Sequence, residues 1–207
     1  MSIKLKGSTA GSVALDAPAN TSPSGSDISF TLPIADGSSG QVLTTNGSGA
    51  LSFANEGKIL QVLQTTKTDT FSTSSTSFTD ITGLSVSITP SSTSNKIFVL
   101  FNVPVSASSS ALAHLTLLRG STEIFLGDAA GSRTRGTTGS HSVIHNGTPN
   151  FAVQFLDSPS STSSVTYKIQ IKAQSGYTAV VNSASTDTDS VETLRVPSQI
   201  TVMEVAA

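Results

Sequence analysis

The sequence predicts an all-β protein: an extended N-terminal arm with a small hairpin, followed by a jelly-roll-like β-sandwich. Three observations carry this. Apolar residues recur at every second position in several short runs, each run is bounded by Gly, Pro, Ser or Asp, and no segment shows a convincing helical period. Ile28, Phe30 and Leu32 alternate and then meet Pro33. Leu84, Val86 and Ile88 alternate and meet Pro90. Phe151, Val153 and Phe155 form a third run, and Val165, Tyr167, Ile169 and Ile171 a fourth. The nearest helix candidate, residues 57–64, runs on into β-branched, Thr-rich sequence, which disfavours helix.

Residues 97–103 (IFVLFNV) are apolar at successive positions. Such a strand is central and covered on both sides, or its second face meets another subunit. Pro104 is expected to end it or to place its end at a sheet edge. Leu118 to Ile124 reads as a hairpin turn between apolar strands. His114 lies in a further apolar strand, and a last strand is expected near residues 198–205.

The first 56 residues hold few large apolar groups. Val42-Leu43-Thr44-Thr45, then Asn46-Gly47, then Leu51 and Phe53 predict a small hairpin. A segment so polar and so small cannot offset its own conformational entropy. It is either disordered or ordered only against other chains. The boundary is expected near Asn55-Glu56-Gly57. This makes residues 1–56 a docking or stalk segment and residues 57–207 a sandwich domain of about eight strands.

Charged residues make up only 12% of the chain and the formal net charge is −2. A basic footprint for nucleic acid or anionic membrane is therefore absent. Ser, Thr, Gly and Asn replace the missing charge and suit turns and solvent-facing sheet positions. There is no Cys, which excludes disulfides and thiolate metal sites. The N-terminus lacks the continuous apolar stretch of a secretory signal. No run approaches the ~18 apolar residues that span a bilayer. The chain is expected to be made in a cytoplasm and to be soluble.

The run LPIADGSSGQVLTTNGSGALSF, residues 32–53, resembles a module of phage tail fibres and related virion appendages, those of marine cyanobacterial phages among them. The opening MSIKLKGSTAGSVALDAPA resembles the start of the same proteins. Residues 57–101, from GKILQVLQ to NKIFVLF, are similar to their C-terminal domains. The resemblance covers the first half of the chain; the remainder shares only general character. It implies a homotrimer on the virion surface, on the tail or capsid exterior, assembled in the host cytoplasm. Its partners would be other virion proteins and a host polysaccharide or outer-membrane protein. It brings no catalytic residues and no cofactor. Many such fibres are several times longer, so attachment to tail or capsid stays open. The alternatives are a capsid decoration or head-fibre protein, and, less favoured, a polysaccharide depolymerase.

The residues themselves offer little chemistry, and no enzyme is expected. Gly57-Lys58 lacks the remaining P-loop residues, and the glycines at 47 and 49 fit a hairpin better than a dinucleotide loop. His141 and His145 lie four apart in HSVIH. Read as strand, that spacing puts them roughly 13 Å apart, too far for one ion. Asp187 and Asp189 form one carboxylate pair, far short of a Ca²⁺ shell, and read as solvated loop charges. His114 reads as a satisfied core or interface residue.

The candidate binding surface is the long, polar, Gly-rich segment 128–150, with Arg133, Arg135, His141, His145 and Asn146. Arg forks and amides suit sugars or anionic polymers. The absence of Trp and the presence of only two Tyr leave no aromatic platform, so a plain surface loop is the competing reading.

Overall fold

A computed structural model describes residues 3–6, 12–15, 28–55, 57–108, 111–141 and 147–207. The chain divides into two compact units, Met1–Glu56 and Gly57–Ala207. All regular elements among the described residues are β-strands.

In the first unit β1 (Ile3–Lys6) pairs antiparallel with β2 (Ser12–Leu15), and β3 (Gln41–Thr45) with β4 (Leu51–Asn55). The β3–β4 turn is organised by Asn46, whose Oδ1 accepts the N–H groups of Ser48 and Ala50 at 2.8 and 3.2 Å. Gly37 lies against the Phe53 ring so closely that a Cβ would sit 2.6 Å from it. The strand expected over residues 28–32 is reduced to one bridge, Thr31 to Ala50. Pro33 cannot donate to a ladder. Ile28, Phe30, Leu32, Ile34, Leu43 and Phe53 all remain exposed.

The second unit contains β5 (Ile59–Lys67), β6 (Phe71–Thr73), β7 (Thr79–Ile88), β8 (Lys96–Ala107), β9 (Leu112–Arg119), β10 (Thr122–Ile124), β11 (Thr138–His141), β12 (Asn150–Asp157), β13 (Val165–Ala173), β14 (Ala179–Val181) and β15 (Ser198–Val205). They form two antiparallel sheets. One runs β5–β15–β8–β12, and β14 and β6 extend it alongside the far half of β8. The other runs β7–β13–β9, with β10 and β11 sharing the free edge of β9. Between the sheets lies one core, including Leu84, Ile97, Val99, Leu115, Leu117, Ile169, Ile171, Ile200 and Val202. Phe125, at φ 54°, stacks on Phe155 with centroids 4.8 Å apart and so covers an open flank of the core.

Pro104 does not end its strand: β8 continues to Ala107. Nor is it at an edge, since it faces Asn150 of β12 on one side. On the other side β15 stops at Asn102 and β14 begins at Val105. The missing N–H of the proline falls in that gap, where no ladder bond is lost. Asn182 fills the gap. Its N–H donates to the Pro104 carbonyl at 3.1 Å, and its Nδ2 donates to the carbonyls of Lys67 and Asp69. Its φ of 69° is one that Asn tolerates better than most residues.

A bulge in β7 explains a parity change that simple alternation misses. Ile81 and Leu84, three positions apart, are both buried. Pairing with β13 jumps from Ser85–Lys168 to Asp80–Gln170, and Gly83 within the jump has φ 82°. A side chain there would be forced into the left-handed region. Gly83→Ala is expected to cost about 1–2 kcal/mol, read as a lower urea midpoint at unchanged slope.

Candidate functional site

The strand register gives the sandwich two distinct ends. At one, Ile59 of β5 faces Val205 of β15, and Val205 faces Lys96 of β8. Ile88 of β7 and Val165 of β13 meet at this end too. Residues 57–58, through which the chain enters, and the connections 89–95 and 158–164 lie here. Two polar clusters tie this end together. Glu204 of β15 accepts from Ser91, Asn95 and Gln61, and Asp157 of β12 accepts from Arg119 and Tyr167.

At the opposite end β5, β8 and β13 finish and β7, β9, β12 and β15 begin. The connections 68–70, 74–78, 174–178 and 182–197 gather there, linked by bonds such as Ala173 N–H to Ser75, and Ser108, just past β8, donates its N–H to Thr178. A polar hollow of about 330 Å³ lies in the 187–195 loop, lined by Asp187, Asp189, Arg195 and three hydroxyl residues. Asp187 is not merely a solvated charge. Arg195 grips it bidentately at 2.7 and 3.0 Å, and this bond holds its carboxyl below the usual range. The guanidinium thus occupies the place a cation would need. Among the described residues no group of His and carboxylates is arranged to hold a metal ion.

Of the candidate surface residues, Arg133, Arg135 and His141 fall within the described residues. Ile124 faces Leu117 and Thr138 faces Leu115, so the connection 125–137 leaves and rejoins β9 halfway along its edge. Thr137 anchors it there, its N–H donating to Leu115 O and its Oγ1 accepting from Leu117 N–H. Arg133 and Arg135 sit in this connection and spend donors on its own carbonyls, Ala130 at 3.1 Å and Gly127 at 2.7 Å. Segment 128–150 is also not all loop, because Thr138–His141 is β11. His141 ends that strand opposite Leu112, at the loop-rich end. His145 and Asn146 lie outside the described residues. Val143 and Ile144, read as strand from the sequence, do so too.

His114 faces outward from β9 and, among the described residues, its buried Nδ1 has no hydrogen-bond partner, so of the two readings, satisfied core or interface residue, the first does not hold there. Burial and the neighbouring Lys172 lower its pKa, which favours the neutral ring.

The outer faces of the two sheets differ in a way composition does not disclose. Across the β7–β13–β9 sheet, Lys168 and Gln170 bind Asp80 at 2.8 and 2.7 Å, and Lys172 caps the Phe78 ring. Across the other sheet the register sets Val62, Met203, Phe98 and Leu156 in one continuous row. The next row is Gln64, Thr201, Leu100 and Gln154, and the third Thr66, Gln199, Asn102 and Ala152. None of these side chains is ionisable. Nine of the twelve, all but Phe98, Leu156 and Thr66, bound a groove of about 520 Å³. Single-strand patterns suggested this only at residues 97–103, because the row exists only once four strands are aligned.

No protein-family model matches the chain, and no curated protein matches it.

Proposed function

We propose that the chain is a bacteriophage virion protein, a short trimeric tail fibre or adhesin. It docks on the particle through residues 1–56 and meets the host surface with the sandwich of residues 57–207. The observation that carries this is the polarity of the sandwich: the chain enters at one end, and loops cluster at the other. The strand order β5–β15–β8–β12 against β7–β13–β9–β10 follows the connectivity of a jelly roll, a fold common in capsid and lectin domains. The resemblance of residues 32–53 to fibre modules points the same way. The exposed apolar side chains of residues 28–53 favour a segment that other chains cover. The binding role is that of a non-enzymatic module, with the loop-rich end, rather than the Arg133–Arg135 connection, as the contact surface.

The test is competition. Host cells preincubated with micromolar purified protein are expected to adsorb fewer phage and to retain the protein on washing. Protein that ignores cells but binds expanded capsids would make it a decoration protein. Release of reducing sugar from host envelope would make it a depolymerase.

A further inference from the structure

We infer that the outer face of the β5–β15–β8–β12 sheet is the surface on which the sandwiches of neighbouring copies of this chain meet. The inference deepens the assembly proposed above and rests on it. The flat extent of three rows over four strands is roughly 19 by 20 Å, about 400 Å². One row is wholly apolar, and Leu100 and Ala152 add apolar positions to the other two.

Charge selects the occupant. A partner that brought ionic groups to this face would bury them against side chains unable to pair with them, at a cost of several kcal/mol per ion. A matching surface must be neutral, apolar along one row and amide-bearing along the next two. The face itself has that composition. Gln64, Gln154, Gln199 and Asn102 each carry both donors and an acceptor, so one copy can satisfy another. The Asn102 Oδ1 is buried and, among the described residues, accepts no hydrogen bond; a donor from a neighbouring copy would complete it. The outer face of the other sheet is the internal contrast: it is built on the same pleat but laced with Asp80 and Lys168, which pair with each other, and with Lys172, which donates to the Thr134 hydroxyl and caps the Phe78 ring.

Two exposed positions make the test gentle on the fold. Val62 and Leu156 lie at opposite ends of the apolar row and are 53% and 51% exposed. In the full-length chain, Val62→Glu and Leu156→Glu are expected to weaken self-association at least ~100-fold by sedimentation velocity, with the circular dichroism spectrum retained. Lys168→Glu on the other sheet should leave the oligomer intact. The chain has no Cys, so a second readout is clean: Gln154→Cys should resist maleimide in the oligomer while Lys168→Cys reacts freely. Oligomers that survive both glutamates, or equal labelling of the two thiols, would overturn the face and leave the oligomer standing. A wild-type monomer at micromolar concentration would overturn the face too. The adhesin reading stands or falls separately, on the adsorption assay.

Discussion

Glu204→Gln is expected to lower the stability of the sandwich by about 2–4 kcal/mol at neutral pH and to flatten its acid dependence. Glu204 points into the protein at 1% exposure. Its Oε1 accepts from the Ser91 N–H at 2.6 Å, the Ser91 hydroxyl at 2.8 Å and Asn95 Nδ2 at 2.6 Å, and its Oε2 from Gln61 Nε2 at 2.6 Å. Burial pushes the carboxyl upward, but the bonds from Asn95, Gln61 and Ser91 outweigh it and bring the pKa down to about 2. The folded carboxyl therefore ionises more readily than the unfolded one, whose ordinary value is 4.5. Its contribution is complete above that value and is lost as pH falls through about 2. At about 1.4 kcal/mol per pH unit, the whole span is worth roughly 3 kcal/mol. The glutamine keeps the shape but turns an amide N–H₂ toward groups that donate. Urea unfolding between pH 2 and 7 reads both effects. A variant with the wild-type acid slope would show that Glu204 is not the titrating group.

Asp157→Ala is expected to be costlier, about 3–5 kcal/mol. Asp157 closes β12 and joins the two sheets. It accepts from Arg119 Nη1 at 2.8 and 3.0 Å and from the Tyr167 hydroxyl at 2.6 Å. Tyr167 is fully buried, so removing the carboxylate leaves a buried hydroxyl without its acceptor. Burial, reinforced by the Asp157 charge, already pushes the Tyr167 pKa well up, which keeps it protonated and donating. Tyr167→Phe leaves the ion pair in place and should cost only about 1.5–3 kcal/mol. Thermal melts order the two: for a unit of this size each kcal/mol moves the midpoint by roughly 2–4 °C. Equal losses would mean that the tyrosine bond carries the whole effect.

Much of the fold was legible in the chain, and the reason is local. Alternation at Leu84–Ile88, Phe151–Phe155 and Val165–Ile171 marks strands because a half-covered sheet imposes a period of two on any strand within it. What stayed hidden depends on pairing between distant segments. Pro104 reads as a terminator until β14 and β15 are seen to leave a gap beside it. Ile81 reads as outward until the bulge at Gly83 shifts it. Glu204 is one acid in an apolar strand, and only the fold brings Ser91 and Asn95 to it. Arg133 and Arg135 belong by sequence to a long polar segment; the two pairings along one edge of β9 that hold the ends of their connection leave no local pattern. The neutral outer face left one trace, the doubly apolar run at residues 97–103.

The place of β15 has a consequence for how the protein reaches its native state. β15 lies between β5 and β8, so the first of these strands joins the sheet only through a partner more than a hundred positions away. Loop closure over that distance comes before any reward, which puts folding in the slow, millisecond-to-second range of β topologies. Until β15 arrives, β5 and β8 each present an unpaired edge of Leu, Val and Phe residues. The same edges would accept β15 from another chain as readily as their own. At high local concentration, folding and strand exchange compete for one slot, and dilution during refolding should favour the self-contained product.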